Sequence, residues 1–104
     1  MCQGGFEYPV FLDVLMGSIE DHAEATESDF LIYTGNFCGY CSALKRYLPS
    51  KGLTYVEYNM DDFPGLRDEV VRATRHRTVP VVFDLRSGEV VFVGGFDETR
   101  AMLG

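Results

Sequence analysis

The chain of 104 residues has no tryptophan, only three cysteines, and no Lys or Arg among its first 29 residues. Three cysteines are an odd number and too few for a disulfide-stapled scaffold. The fold must therefore be held by apolar side chains, which make up 46% of the residues. No apolar run approaches the ~20 residues that a membrane-spanning helix needs. The length suits one compact domain and is too short for two.

The net charge of −7 belongs to the first part of the chain. Residues 1–29 hold seven acidic side chains and no basic one, whereas residues 30–104 hold nine of each sign. This acidity argues against nucleic-acid binding, which needs a basic surface, and is typical of a solvated helix and connection. The first residues also lack the basic start of a signal peptide, so we expect a reducing, cytoplasmic setting and no membrane contact.

The apolar spacing predicts alternating helices and strands. A helix is predicted from Pro9 to about Glu20, with an acidic connection over 21–28. Further helices are predicted over 39–49, over 64–74 and from an Asp97 cap to Leu103, and strands over 30–34, 53–58, 81–83 and 90–93. This order favours an α/β fold with a four-stranded mixed sheet flanked by helices. We expect residues 1–29 to be an acidic extension whose helix packs on a domain formed by 30–104.

The motif Cys38-Gly39-Tyr40-Cys41 follows the first predicted strand and opens a helix. At a helix N-terminus the free N–H groups and the helix dipole favour thiolate over thiol. Thiolate is the nucleophile of disulfide exchange, so the motif is a candidate redox site. A pair with this spacing can also bind zinc, but zinc normally needs four ligands and the further cysteine and histidines are only Cys2, His22 and His76. We therefore predict no metal site here.

Four segments together carry a resemblance to a known family. They are Ile32-Tyr33-Thr34, the motif itself, Arg77-Thr78-Val79-Pro80 and Gly94-Gly95-Phe96-Asp97. With this order and spacing, the chain resembles the dithiol glutaredoxins, which have a thioredoxin-like fold, from about Phe30 to Leu103.

The resemblance implies a glutathione-dependent thiol–disulfide oxidoreductase. Cys38 would attack glutathione mixed disulfides and Cys41 would resolve mixed disulfides with proteins. The partners implied are glutathione and disulfide-containing or glutathionylated proteins. The protein itself is expected to be a monomer. Val79–Pro80 resembles the family's cis-proline dipeptide. The glutathione-binding residues implied are Tyr40, Arg77, Thr78, Val79, Pro80, Gly95, Phe96 and Asp97.

Two departures from the family pattern leave alternatives open. Gly35 stands where members usually carry Lys, so Arg77, with Arg67, Arg72 or Arg75, would have to supply the carboxylate contact. This departure also leaves open the alternative that the protein is a redox donor reduced by thioredoxin reductase rather than by glutathione. Gly39 stands where dithiol members usually have Pro. A small residue there is compatible with a [2Fe–2S] cluster bridging two protomers, with Cys38 as ligand beside glutathione.

Overall fold

The computed structural model describes residues 17–104. A helix, α1, occupies residues 17–24 of this range. The elements that follow are β1 (Phe30–Thr34), α2 (Gly39–Ser50), β2 (Tyr55–Asn59), a 3-10 turn (Met60–Asp62), α3 (Leu66–Thr74), β3 (Val81–Asp84), β4 (Val91–Gly94) and α4 (Phe96–Leu103). None of the helices in this range is long and apolar enough to cross a membrane.

The first predicted helix is only partly within the described range. Cys2 and the segment from Pro9 to residue 16 lie outside it. The predicted acidic connection from residue 21 is wrong at its start, because the helix continues to residue 24. The extra turn is held by contacts with the sheet, since Ala23 packs against a buried cluster and the His22 ring stacks on Tyr58.

The four strands form one mixed sheet in the order β2-β1-β3-β4. Strand β1 is parallel to β2 and antiparallel to β3, and β3 is antiparallel to β4. The predicted fold class is confirmed. All five residues of β1 are buried, because helices cover both faces of this central strand.

Alternate residues of β1 enter two separate hydrophobic clusters. Leu31 and Tyr33 join the cluster under α1 and α3, to which those helices contribute Ile19, Leu66 and Val70. The second cluster lies under α2 and α4, and its members are Phe30, Ile32, Leu44, Leu48 and Val82, with Phe96 and Leu103 packed against it.

The strand register brings three distant segments to one edge of the sheet. Tyr33, near the end of β1, pairs with Val81 at the start of β3. Val82 in turn pairs with Gly94 at the end of β4. The segments that follow Thr34, precede Val81 and follow Gly94 therefore meet at this edge.

Candidate active site

Cys38 is the N-cap residue of α2, as the sequence predicts. Its Sγ atom accepts a hydrogen bond from the Cys41 backbone N–H at 3.1 Å. The two cysteines form a disulfide with their Cα atoms 5.2 Å apart. Cys38 is half-buried, whereas Cys41 is 3% exposed. The sulfur that an incoming disulfide can reach is therefore the one at the helix end, where a thiolate is stabilised.

The loop before β3 faces this cysteine pair. The Val79–Pro80 peptide bond is cis. The Val79 carbonyl oxygen lies 3.7 Å from Cys38 Sγ. The Thr78-Val79-Pro80 segment and the dithiol motif thus form two adjoining walls of one site.

An open groove of about 580 Å³ adjoins these walls. The groove is lined by residues from four parts of the chain: Tyr40 of α2, Arg67 of α3, the loop 76–80, and the α4 entrance 95–98. All eight residues that the family resemblance implies for glutathione binding line it, namely Tyr40, Arg77, Thr78, Val79, Pro80, Gly95, Phe96 and Asp97. The structure therefore brings the full predicted set together.

Two groove residues, His76 and Glu98, were missed by the sequence reasoning. His76 Nε2 lies 3.2 Å from Thr78 Oγ1, and its ring packs edge-on against Phe92. Since strand β4 supplies Phe92, the position of His76 depends on tertiary packing and has no local signal.

Glu98 corrects the predicted cap of α4. The N-cap residue is Gly95, two positions before the expected Asp97, and the Gly95 N–H donates to Glu98 Oε1 at 2.8 Å. That N–H group lowers the pKa of the Glu98 carboxyl by stabilising its charge. The three-residue interval from Gly95 to Glu98 is the spacing of a capping box and was the available signal. Asp97 then occupies the exposed second position of the helix, on the groove.

Arg67 occupies the space beside Gly35. A Cβ atom on Gly35 would lie 3.0 Å from Arg67 Nη2. The same nitrogen donates to Asp61 Oδ1 at 3.0 Å. Asp61 Oδ2 accepts the Asn36 N–H at 2.7 Å, and this bond, followed by the one from Arg67, lowers the pKa of Asp61. Of the arginines proposed to replace the family lysine, Arg67 and Arg77 line the groove, whereas Arg72 and Arg75 do not.

Tyr40 lies on the groove rather than in the core. Its side chain is 64% exposed, and its ring centroid is 6.3 Å from that of Phe96. Leu44 and Leu48, on the same helix, are fully buried. Tyr40 is therefore available to contact a molecule in the groove. Among residues 17–104, no group of three or more His, Cys, Asp and Glu side chains is arranged to hold a metal ion.

A half-buried cysteine at a helix N-cap, its buried partner one turn later, and the facing Thr78-Val79-Pro80 loop define a thiol–disulfide oxidoreductase with a thioredoxin-like fold. The glutaredoxin family model matches residues 30–87. Glutaredoxin of Pseudomonas aeruginosa is 38% identical over 72 residues, which are 69% of this chain and 81% of that protein. Glutaredoxin 3 of Escherichia coli (strain K12) is 32% identical over 71 residues, 68% of this chain and 81% of its own length. The chain belongs to the glutaredoxin family.

Solved structures agree on the fold. The crystal structure of wheat glutaredoxin has a TM-score of 0.69 at 20% identity, covering 86% of this chain and 83% of its own. The buckwheat glutaredoxin–glutathione complex has a TM-score of 0.67 at 22% identity, covering 84% and 79%.

Proposed function

We propose that this glutaredoxin uses glutathione to reduce glutathione mixed disulfides and protein disulfides. The observation that carries the proposal is the groove of about 580 Å³ beside Cys38, which has cationic and anionic groups suited to a tripeptide with charged ends. Family precedent also supports it, because buckwheat glutaredoxin is known as a complex with glutathione.

The polar groups of the groove match the two ends of glutathione. Arg67 and Arg77 are suited to the glycine carboxylate, since guanidinium groups bind carboxylates in a bidentate manner. At the other end, the N–H groups of Phe96 and Asp97 open α4 and have no partner within the helix. They suit the γ-glutamyl carboxylate, and the Asp97 carboxylate suits the neighbouring ammonium.

The cysteine part of glutathione would lie against Val79. The Val79 carbonyl is 3.7 Å from Cys38 Sγ, so a peptide chain paired with this backbone brings its own sulfur close to Cys38. The Val79 loop would then position the glutathione sulfur for attack by Cys38, and the N-terminus of α2 would stabilise the Cys38 thiolate.

The reaction balances without a further reactant. The Cys38 thiolate attacks the glutathione sulfur of a mixed disulfide, and the substrate leaves as a thiolate that takes up a proton. A second glutathione thiolate then attacks the Cys38-bound glutathione, which forms glutathione disulfide and restores Cys38. With a protein disulfide, Cys38 forms the mixed disulfide with the protein. Cys41 then attacks the Cys38 sulfur, and two glutathione molecules reduce the resulting pair.

Two single variants test these roles in an assay coupled to glutathione reductase. Cys38→Ser should abolish reduction of the glutathione–hydroxyethyl mixed disulfide, because no nucleophile remains. Cys41→Ser should keep that activity and lose reduction of a protein disulfide. Ser42→Ala, an exposed change on the same helix turn, is the matched control. Equal losses in both cysteine variants would contradict the assigned roles.

The same assay separates glutathione from thioredoxin reductase as the electron source. Arg67 Nη2 lies 3.0 Å from the point where a side chain on Gly35 would begin, so a cation remains beside the groove despite the missing lysine. We therefore expect NADPH oxidation coupled through glutathione reductase to exceed that coupled through thioredoxin reductase. The reverse order would favour the donor hypothesis.

Gly39 favours a second candidate function, a [2Fe–2S] cluster carrier. A Cβ atom on Gly39 would meet nothing within 4 Å, so the space beside Cys38 is open. Cys38 and an external glutathione thiolate would be the ligands, and the cluster would supply electron or cluster transfer. Anaerobic reconstitution with iron, sulfide and glutathione tests it, with size-exclusion chromatography as a second readout. A coloured dimer supports the carrier, and a colourless monomer at high protein concentration contradicts it.

A further inference from the structure

Phe37, the residue before Cys38, combines two unfavourable features. Its side chain is fully exposed, at 106% of the reference area, which makes it the most exposed large apolar side chain among residues 17–104. Its φ angle is 56°, a left-handed conformation that non-glycine residues rarely adopt. Burial and relaxed backbone geometry would both lower the free energy, so packing within the fold does not explain this placement.

The neighbouring loop holds Phe37 in this position. The Asn36 N–H donates to Asp61 Oδ2 at 2.7 Å. Asn59 Nδ2 donates to Asn36 Oδ1 at 2.9 Å. On the other side, Cys38 is fixed as the N-cap of α2. A strained residue persists when its surroundings over-determine it, and such residues cluster at functional sites.

Phe37 lies outside the groove beside Cys38. The groove is lined by Tyr40, by Arg67 of α3, by the loop 76–80 and by the α4 entrance 95–98, and Phe37 is not among its lining residues. A tripeptide in the groove therefore leaves the Phe37 ring in water. The polypeptide half of the mixed disulfide is bonded to the glutathione sulfur that Cys38 attacks. It therefore lies next to Cys38, one residue from Phe37. This half is the substrate that can cover the ring.

We propose that Phe37 is a docking contact for polypeptide substrates and selects those with an apolar side chain next to the disulfide-bonded cysteine. The proposal rests on the proposed function, in that Cys38 must be the attacking thiol. The physical basis is removal of apolar surface from water on both sides, and exposed aromatic rings are frequent centres of protein interfaces. A small disulfide has no such side chain and gains nothing from Phe37.

The experiment compares three glutathionylated substrates. Two are ten-residue peptides identical except for Leu or Ser on both sides of the modified cysteine, and the third is the glutathione–hydroxyethyl mixed disulfide. The variant is Phe37→Asn, because Asn tolerates a positive φ and removes the aromatic ring. Phe37→Gly is a second variant with the same backbone freedom. Met102→Gln is the matched control, since Met102 is also an exposed large apolar residue but lies on α4.

We expect the original chain to prefer the Leu peptide in kcat/KM. Both Phe37 variants should lower kcat/KM for that peptide about fivefold, mainly through KM, a loss typical of one partly buried apolar contact. The Ser peptide and the small disulfide should change by less than about twofold, and thermal melting should show that Asn and Gly do not lower Tm. Equal losses on all three substrates, or no loss on the Leu peptide, overturn the proposal. No activity of the original chain on the small disulfide instead refutes the proposed function.

Discussion

The Nη2 atom of Arg67 lies 3.0 Å from the point where a Cβ atom on Gly35 would stand. The guanidinium therefore lies in the path of a lysine side chain at position 35, where family members usually carry one. Since Arg67 also lines the groove, we expect this cation from α3 to take the place of one from the loop before Cys38. This replacement makes the two positions dependent on each other.

We predict that Arg67→Ala raises KM for a glutathione mixed disulfide by roughly fivefold, the effect of losing one exposed charged hydrogen bond. Gly35→Lys should restore most of the loss in the Arg67→Ala background. In the original chain it should give no gain, because its Cβ meets the guanidinium. Arg72→Ala, on the same helix but outside the groove, is the control. Additive effects of Gly35→Lys and Arg67→Ala would contradict this mutual exclusion.

Gly39 can be replaced by proline without strain. It is the first residue of α2, where proline is favoured, and its Cβ position is free. The preceding residue, Cys38, has φ −118° and ψ 107°, an extended conformation compatible with a following proline. Gly39→Pro should therefore increase the free energy of unfolding by about 0.4–1 kcal/mol through the unfolded state, measured by urea denaturation. Disulfide reduction should persist, and a lower stability would show that Gly39 is needed for another reason.

Gly94 and Gly88 form a matched pair for testing the entrance to α4. Both have positive φ, 130° at Gly94 and 91° at Gly88. A Cβ atom on Gly94 would lie 2.9 Å from Glu98 Cγ, whereas one on Gly88 would meet nothing within 4 Å. Gly88→Ala should cost about 1 kcal/mol of backbone strain. Gly94→Ala should cost more and displace the Glu98 cap, raising KM for the glutathione mixed disulfide. Equal effects of the two changes on stability and KM would contradict a special role for Gly94.

His22 predicts a pH dependence of stability. Its Nδ1 is 2.8 Å from the Tyr33 hydroxyl, and its ring stacks on Tyr58 at 3.7 Å between centroids. Burial lowers the pKa of His22, against the opposing charges of Glu69 and Asp21. Burial also raises the pKa of Tyr33, so its hydroxyl stays protonated and can donate to the neutral imidazole.

The folded state binds the His22 proton more weakly than the unfolded state does. The contribution of neutral His22 to the free energy of unfolding should therefore be fully present above a pH of about 6.5 and decrease below it. The urea midpoint should therefore decrease from pH 7.5 to pH 5.5. His22→Phe keeps the stacking ring and should flatten this decrease. An unchanged slope in His22→Phe would show that another group is responsible.

Local signals were sufficient for most elements but not for their ends. The buried run 30–34 is a strand as predicted, and the motif opens a helix because Cys38 caps it. Strand β2 begins at Tyr55 instead of Leu53, because the Leu53 N–H closes α2 by donating to the Leu48 carbonyl at 3.0 Å. Such boundaries depend on which of two partners a backbone group takes, and sequence pattern does not decide that.

The candidate site was likewise predictable from the sequence only in part. The family resemblance supplied the eight groove residues, and the strand register explains why they meet. The positions of Arg67 beside Gly35 and of His76 beside Gly95 arise only when α3 and the loop before β3 are folded against the sheet. No spacing along the chain reports these contacts.

The central position of β1 has a consequence for amide hydrogen exchange. All five of its buried residues pair with β2 and the first four also pair with β3, so its amides should open only with the whole molecule. Beyond Gly35, the residues Asn36 and Phe37 are exposed. Protection should therefore fall sharply within a few residues before Cys38. Cys38 would then lie at the boundary between a slowly exchanging segment and a rapidly exchanging one, which would give its helix end a rigid support and an accessible approach.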